Sequence, residues 1–345
     1  MNTSHRLNFL TYQFNPLDGY GLYGIETVKA LLQLGASVQT LQFNSVYNDW
    51  RFMPDELKPY QPYDWSRPTL QLLPADAFQR YQGRQWGYTM WEDDSIPRDW
   101  PDHIQKTVER VIVPCEFYAN VFHDAGVKTP IHVVPGGVNP TTDLVLPDKS
   151  ETRPFTFLVL GDRGLRKGLE PVLNALRTSY WWNKDVRLII KTRPGAGGND
   201  FSIVRLIERR ATFWEEDVPS MARVFDAADC YLYPSYGDGW GMTPRRAIMH
   251  GVPTIAPRHT GVQVGIDDWA TGILETFTRP FSNYAHDQSR WFKPDADELS
   301  ESMRWVYENY HEARADALRG RAWLTAHQSW DCTARGILTL MEQYA

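Results

Sequence analysis

Short apolar runs alternate with segments of helical periodicity along nearly the whole chain. Leu7–Phe14 reads as a buried strand, and Gly24–Leu34 then repeats apolar residues at helical spacing until Gly35 stops it. Ser37–Phe43, Gln85–Met90 and Arg110–Val113 read as further strands, Glu116–Ala125 as a helix closed by Gly126, and Ile131–Val134 as a strand. The polar stretch Leu146–Pro154 interrupts the pattern and reads as a linker. Alternation then restarts: strand Phe155–Leu160, helix Gly168–Thr178, strand Val186–Lys191, helices Ile203–Arg210 and Ser220–Ala227, strand Cys230–Tyr233, and a helical tail from Glu298. Such alternation predicts parallel sheets with crossover helices. It also predicts two doubly wound domains, with ligands at the carboxyl ends of the strands and in the cleft between the domains.

Composition bounds this picture. A chain of 345 residues suits two domains of about 150–180 residues better than one core. Hydrophobic content of 42% and charged content of 23% are ordinary for a globular protein, and a net charge of −6 gives no global case for nucleic acid. The 14 tryptophans have two uses, stacking on sugars or bases and core packing, of which the second is commoner. Cys115, Cys230 and Cys332 have no metal-ligand spacing and read as reduced. No signal-peptide pattern and no apolar run of about 18 residues appears, so the expected compartment is cytoplasmic, with no transmembrane segment.

The segment Pro234–Gly251 carries the most chemistry. It reads as the end of a strand, a turn with glycines at 237, 239 and 241, and a helix capped by Thr243, with Pro244 at its first helical position and Gly251 as its stop. Glycines let backbone amides approach a ligand, and a helix start favours anions. Asp238 adds a carboxylate. Arg245 and Arg246 are anomalous here, because the helix dipole disfavours cations in the first turn by roughly 0.3–1 kcal/mol each.

Three other segments are candidates. Gly19-Tyr20-Gly21-Leu-Tyr-Gly24 is literally G-x-G-x-x-G, but a dinucleotide site needs an acid about 20 residues on, where Asn44 stands. A phosphate-contacting loop fits better. Arg163, Arg166 and Lys167 follow the strand Phe155–Leu160 and precede a helix, so they read as a cationic phosphate loop or a solvated one. Trp91-Glu92-Asp93-Asp94 is open to three readings: a divalent-metal cluster, an exposed turn, or Glu92 alone assisting an acceptor hydroxyl. The nine histidines form no ligand set; His132 and His250 read as packing or capping residues.

Taken in order, these segments resemble the retaining glycosyltransferases of family 4 (glycosyl transferases group 1). The resemblance is carried by Val111–Val127 with His132–Asn139, by Arg166-Lys167-Gly168, by Ala227–Ser235 with the glycine-rich turn, by Tyr88–Pro97 and by Ser329–Ala334. It implies the GT-B architecture: two Rossmann-like doubly wound α/β domains facing across a cleft, with a C-terminal helix crossing back to the N-domain. The expected division is an acceptor-side domain over 1–148, a donor domain over 149–328, and a terminal helix over 329–345.

The resemblance also implies site roles. Arg163 and Lys167 neutralise the donor's diphosphate, with help from the amides of Gly19 to Gly21. Asp238, with the amides of Gly239 to Met242, holds the sugar hydroxyls, and Glu92 lies near the anomeric centre. The expected donor-binding set further includes Tyr20, Arg166, Arg193, Trp240, Gly241, Thr243 and Arg246, and base recognition falls to Thr212–Glu216, with Trp214. The implied reaction moves a sugar from a nucleoside-diphosphate sugar to a hydroxyl acceptor (glycan, lipid, protein or modified nucleobase), without cofactor or metal. The chain departs from the family's two glutamates spaced by seven residues: the first is shortened to Asp238, and the second, which engages the ribose, falls on Arg246, the serious departure because arginine accepts no hydrogen bond. The alternatives are that another group takes the ribose, that Arg246 reaches the diphosphate, or that donor binding has degenerated, and one rival reading is a catalytically inactive sugar-nucleotide-binding or partner subunit. A metal-dependent transferase using Glu92 and Asp94 is a further rival.

Overall fold

The computed structural model describes residues 5–16, 18–42, 55, 63–141, 153–161, 165–192, 211–216, 218, 220–271, 273–274, 276–280 and 290–344. The helix expected over 203–210, most of the linker, Arg163 and Arg193 lie outside them. The chain divides into two compact units, Met1–Gly137 with Gln328–Ala345, and Val138–His327. The change of unit comes ahead of the polar stretch over 146–154 because Val138, 3% exposed, already packs in the second unit's core with Leu158 and Tyr231.

The first unit is a six-stranded parallel sheet of β1 (Arg6–Thr11), β2 (Ser37–Gln42), β3 (Thr69–Leu72), β4 (Gln85–Tyr88), β5 (Arg110–Val113) and β6 (Ile131–Val133), in the order β2-β1-β3-β4-β5-β6. Helices α1 (Gly19–Gln33), α2 (Trp100–Thr107) and α3 (Glu116–Asp124) belong to the same unit. α1 begins five residues before the apolar periodicity does, because Asp18 caps it and its carboxylate accepts the Gly21 amide at 2.8 Å.

The second unit carries a parallel sheet of β7 (Phe155–Leu160), β8 (Val186–Lys191), β9 (Ala211–Trp214), β10 (Cys230–Leu232), β11 (Thr254–Pro257) and β12 (Ile273–Leu274), in the order β12-β11-β10-β7-β8-β9. Its helices are α4 (Leu169–Leu176), α5 (Met221–Asp226), α6 (Met242–Met249), α7 (Ile266–Trp269), α8 (Ala296–Glu308) and α9 (Tyr310–His327), and β13 (Thr276–Pro280) pairs antiparallel with β14 (Arg290–Pro294). β7 is apolar but for Thr156 because it is covered on both faces. Phe155, Phe157 and Val159 pack with residues of α4 and α8, and Leu158 packs with residues of α5, α6 and α9. Buried Asp229 pins β7 to β10, accepting the Thr156 amide at 2.7 Å and a fork from Arg153 at 2.6 and 2.7 Å.

α10 (Trp330–Gln343) returns to the first unit and packs on α1. The Trp330 ring meets Tyr23 edge-on at 4.7 Å, and a Cβ on Gly137 would come within 2.5 Å of Trp330. Thr333 Oγ1 donates to Pro135 O at 2.9 Å. Among the described residues no helix is long and apolar enough to cross a membrane.

Candidate functional site

In the second sheet the strand order reverses beside β7: the chain proceeds outward to β8 and β9, then returns to β10 on the other side. Loops leaving the carboxyl ends of β7 and β10 meet there, at the place where doubly wound sheets bind ligands. Those two loops hold Arg166-Lys167-Gly168 and the glycine-rich turn after Tyr233.

The loops are locked together. Gly168, at φ 70°, crosses so close to the turn that a Cβ would stand 1.8 Å from Pro234 O. The Tyr236 amide donates to Arg166 O at 2.7 Å, and Arg166 Nη1 donates to Gly237 O at 2.8 Å. Lys167 Nζ lies 3.2 Å from Asp238 Oδ2, and Arg166 Nη1 lies 3.6 Å from the same oxygen. Asp238 Oδ2 also accepts the Tyr233 hydroxyl, while Oδ1 accepts the Trp240 amide at 3.3 Å and the Gly241 amide at 2.9 Å. Burial alone would raise the Asp238 pKa. Lys167, Arg166, Tyr233 and the Gly241 amide instead hold it well below the usual carboxylate range. Its charge is fixed, and its roughly four acceptor positions are taken by the protein.

The turn corrects two expectations. α6 starts at Met242 behind Gly241, which is left-handed at φ 75°, so Gly241 rather than Thr243 is the N-cap. Thr243 Oγ1 instead accepts the Tyr231 hydroxyl at 3.2 Å, and Pro244 stands third in the helix, where an amide has no intrahelical partner to lose. Arg245 does not face solvent at the helix start. It is fully buried, donating to the carbonyls of Trp240, Gly241, Gly261 and Val264, with its guanidinium 3.8 Å from the Trp240 ring and 4.8 Å from the Trp269 ring. Arg246 is half-buried on α6.

His259 and Thr260 were passed over in the sequence, and they close the back of the turn. Thr260 Oγ1 accepts the Asp238 amide at 3.2 Å and meets His259 Nδ1 at 3.1 Å, and His259 Nε2 lies 3.0 Å from Ser235 O. Removal from water pushes the His259 pKa down to about 3. The neutral ring that fits this network donates from Nε2 to Ser235 O and accepts the Thr260 hydroxyl at Nδ1. Thr260 holds φ 50°, rare for a β-branched residue, and Gly261 passes so close to Gly239 that a Cβ would lie 2.0 Å from its carbonyl oxygen. No spacing rule links residues 259–261 to residue 238; only the fold does.

Other expected site residues lie elsewhere. Thr212 and Trp214 sit on β9, two strands from β7, lining a cavity of about 480 Å³ with Arg153, Thr156 and Arg187. Trp214 Nε1 donates to Glu216. In the first unit, Gly19, Tyr20 and Gly21 form the first turn of α1 rather than a loop. The Gly21 amide, expected to face phosphate, is taken by Asp18, and its lack of a side chain is explained by Asn15 O, 2.5 Å from where a Cβ would be. Tyr20 has a different use: its hydroxyl donates to Met90 O at 2.8 Å and accepts the Met90 amide at 3.0 Å, fixing the backbone just before Glu92. Asp93 is buried and accepts from Trp91 Nε1 and the Ser95 amide, so it shapes a turn. No group of three or more metal-ligating side chains, Glu92 and Asp94 included, occurs among the described residues. Among the described residues seven tryptophans, 86, 100, 181, 240, 269, 291 and 330, are buried in the core.

The sequence model of a family described as Family 4 Glycosyltransferase in conflict systems matches residues 115–337. The chain is similar to D-inositol 3-phosphate glycosyltransferase from Mycobacterium leprae, 29% identical over 161 residues, 44% of this chain and 34% of that protein. A protein of the same description from Segniliparus rotundus is 28% identical over 182 residues, 50% of this chain and 36% of that protein. The chain thus spans about a third of the length of the curated relatives it matches. Among solved structures, sucrose-phosphate synthase from Thermosynechococcus elongatus superposes with a TM-score of 0.71 at 16% identity, over 99% of both chains. Anabaena HepE in complex with UDP-glucose gives a TM-score of 0.67 at 12% identity, over 98% of this chain and 99% of that one. The α/β fold with its two parallel sheets is the GT-B fold.

Proposed function

The chain belongs to the family 4 glycosyltransferases of conflict systems, and on that premise we propose that it transfers a sugar, with retention, from a nucleoside-diphosphate sugar to a hydroxyl acceptor. The observation that carries this reading is the pairing of Lys167 with Asp238 at the switch point of the second sheet. Departure of a nucleoside diphosphate builds charge on phosphate oxygens, and a preorganised cation there lowers the barrier. Asp238 holds Lys167 in that place, with Arg166 beside it. Donor binding then proceeds by exchange: the Lys167 ammonium turns from Asp238 Oδ2 to the diphosphate, and the acceptor position it leaves takes a sugar hydroxyl.

Arg246 is assigned to the diphosphate in place of the family's ribose-binding carboxylate, and Glu92 to the neighbourhood of the anomeric centre, as the resemblance implies, where its carboxylate assists the acceptor hydroxyl. No metal is assigned. The acceptor class stays as wide as glycan, lipid, protein or modified nucleobase.

A panel of nucleotide sugars tests the reading, with and without EDTA, read by mass spectrometry for donor hydrolysis and transfer. UDP-sugars head the panel because HepE, of the same fold, was solved with UDP-glucose. Turnover of one donor, unaffected by EDTA, is the expected result. Loss in EDTA moves the chemistry to a metal. Nucleotide binding without turnover on any acceptor makes the protein a binding subunit, the outcome that Arg246 motivates.

A further inference from the structure

We infer that Arg245 is a positioning residue for the donor turn, setting from behind the direction in which the turn's amides point; its link to catalysis rests on the function proposed above. A trans peptide unit carries its C=O and N–H on opposite sides. Arg245 Nη1 takes the Trp240 carbonyl, so the amide of the same unit, on Gly241, points away from the guanidinium, where Asp238 Oδ1 receives it at 2.9 Å. One peptide plane is thereby gripped at both ends by charged side chains. The next carbonyl, on Gly241, also lies on Nη1, at 3.2 Å, which turns the Met242 amide away from Arg245 at the start of α6.

Nη2 reaches the neighbouring segment, donating to Gly261 O at 3.1 Å and Val264 O at 3.3 Å. The guanidinium therefore fastens two loops that share no strand. Space for it is built in: a Cβ at Gly241 would stand 3.2 Å from Nη1 and 2.9 Å from Val262 Cγ2, and the rings of Trp240 and Trp269 lie within cation–π range. A planar fork with five N–H donors can serve four carbonyls at once while stacked; a lysine ammonium cannot. An apolar residue would leave those carbonyls unfastened.

The test compares Arg245→Lys and Arg245→Met with wild type. Hydrogen exchange is read over residues 238–244 and, as an internal reference, over β7 and β8; UDP, GDP and ADP affinities are read by calorimetry. Expected is at least tenfold faster exchange over 238–244 in both variants with the reference strands unchanged, and at least tenfold weaker binding of the diphosphate that wild type binds. Unchanged exchange over 238–244 in a folded variant overturns the inference. Faster exchange with unaltered diphosphate affinity also overturns it, because the turn would then not serve the donor. If Arg245→Met does not fold, Arg245→Lys, which keeps a long cationic side chain, carries the same reading. Should wild type bind none of the diphosphates, the proposed function fails, and the exchange data alone still decide whether Arg245 sets the turn.

Discussion

Lys167 and Asp238 are counter-ions across the switch point of the second sheet, with Nζ 3.2 Å from Oδ2, although 71 residues separate them. Each keeps the other in place, so losing either should disturb the same step. Lys167→Ala and Asp238→Ala are each expected to lower donor turnover about tenfold or more, with circular dichroism unchanged. Wild-type rates in both variants would remove the pair from the site.

Gly168 is placed by geometry alone. At φ 70°, with Pro234 O 1.8 Å from the position of a Cβ, alanine has no room unless the cationic loop lifts off the turn. Gly168→Ala should lower stability by about 2–3 kcal/mol in urea unfolding and weaken nucleoside-diphosphate binding together with it. Loss of neither would mean that the loop contact is not held in solution.

Arg246 occupies the place where the resemblance calls for a carboxylate. If it serves the diphosphate, Arg246→Glu weakens binding of UDP, GDP or ADP about tenfold, the scale of one charge-assisted contact. A gain in affinity, read by calorimetry, would return the position to ribose recognition and take the arginine off the phosphate.

His259 makes folding sensitive to acid. In an unfolded chain the ring titrates near 6.5, whereas burial here drives it down to about 3. Below pH 6.5 the unfolded chain therefore takes up a proton that the folded chain refuses. Stability held above that pH is lost progressively toward pH 3. Asp238, also held low, acts in the same direction but only below its unfolded value of 3.8. Urea midpoints between pH 7 and 5 should fall, at a slope approaching about 1.4 kcal/mol per pH unit from this residue. His259→Gln, which can still donate to Ser235 O, should flatten the profile; a slope equal to wild type would assign it to other groups.

Much of the fold was legible because parallel strands buried on both faces are largely apolar runs, as in β7 and β10, and the cationic and glycine-rich loops follow them directly. The first helix misled because glycine is a poor helix former, yet Asp18 and the close passage of Asn15 place Gly19, Gly21 and Gly24 inside it. Arg245 was legible only as a cation set against the helix dipole. Arginine belongs outside by every compositional rule, and only the convergence of four carbonyls and two indoles makes an interior place for it. His259 and Thr260 carry no local signal, since their partners are Ser235 and Asp238 across a loop crossing.

The return of α10 to the first unit has a consequence in time. Unit 2 is one unbroken run, Val138–His327, whereas unit 1 is made of two pieces separated by that run. A ribosome makes the chain from its amino end and domains fold as they emerge, so every residue of unit 2 is joined before Trp330 is. Until then Tyr23 and Gly137 stand without the indole that packs on them. The unit begun first is completed last: a chain truncated before residue 330 would hold every residue of the second unit and lack part of the first.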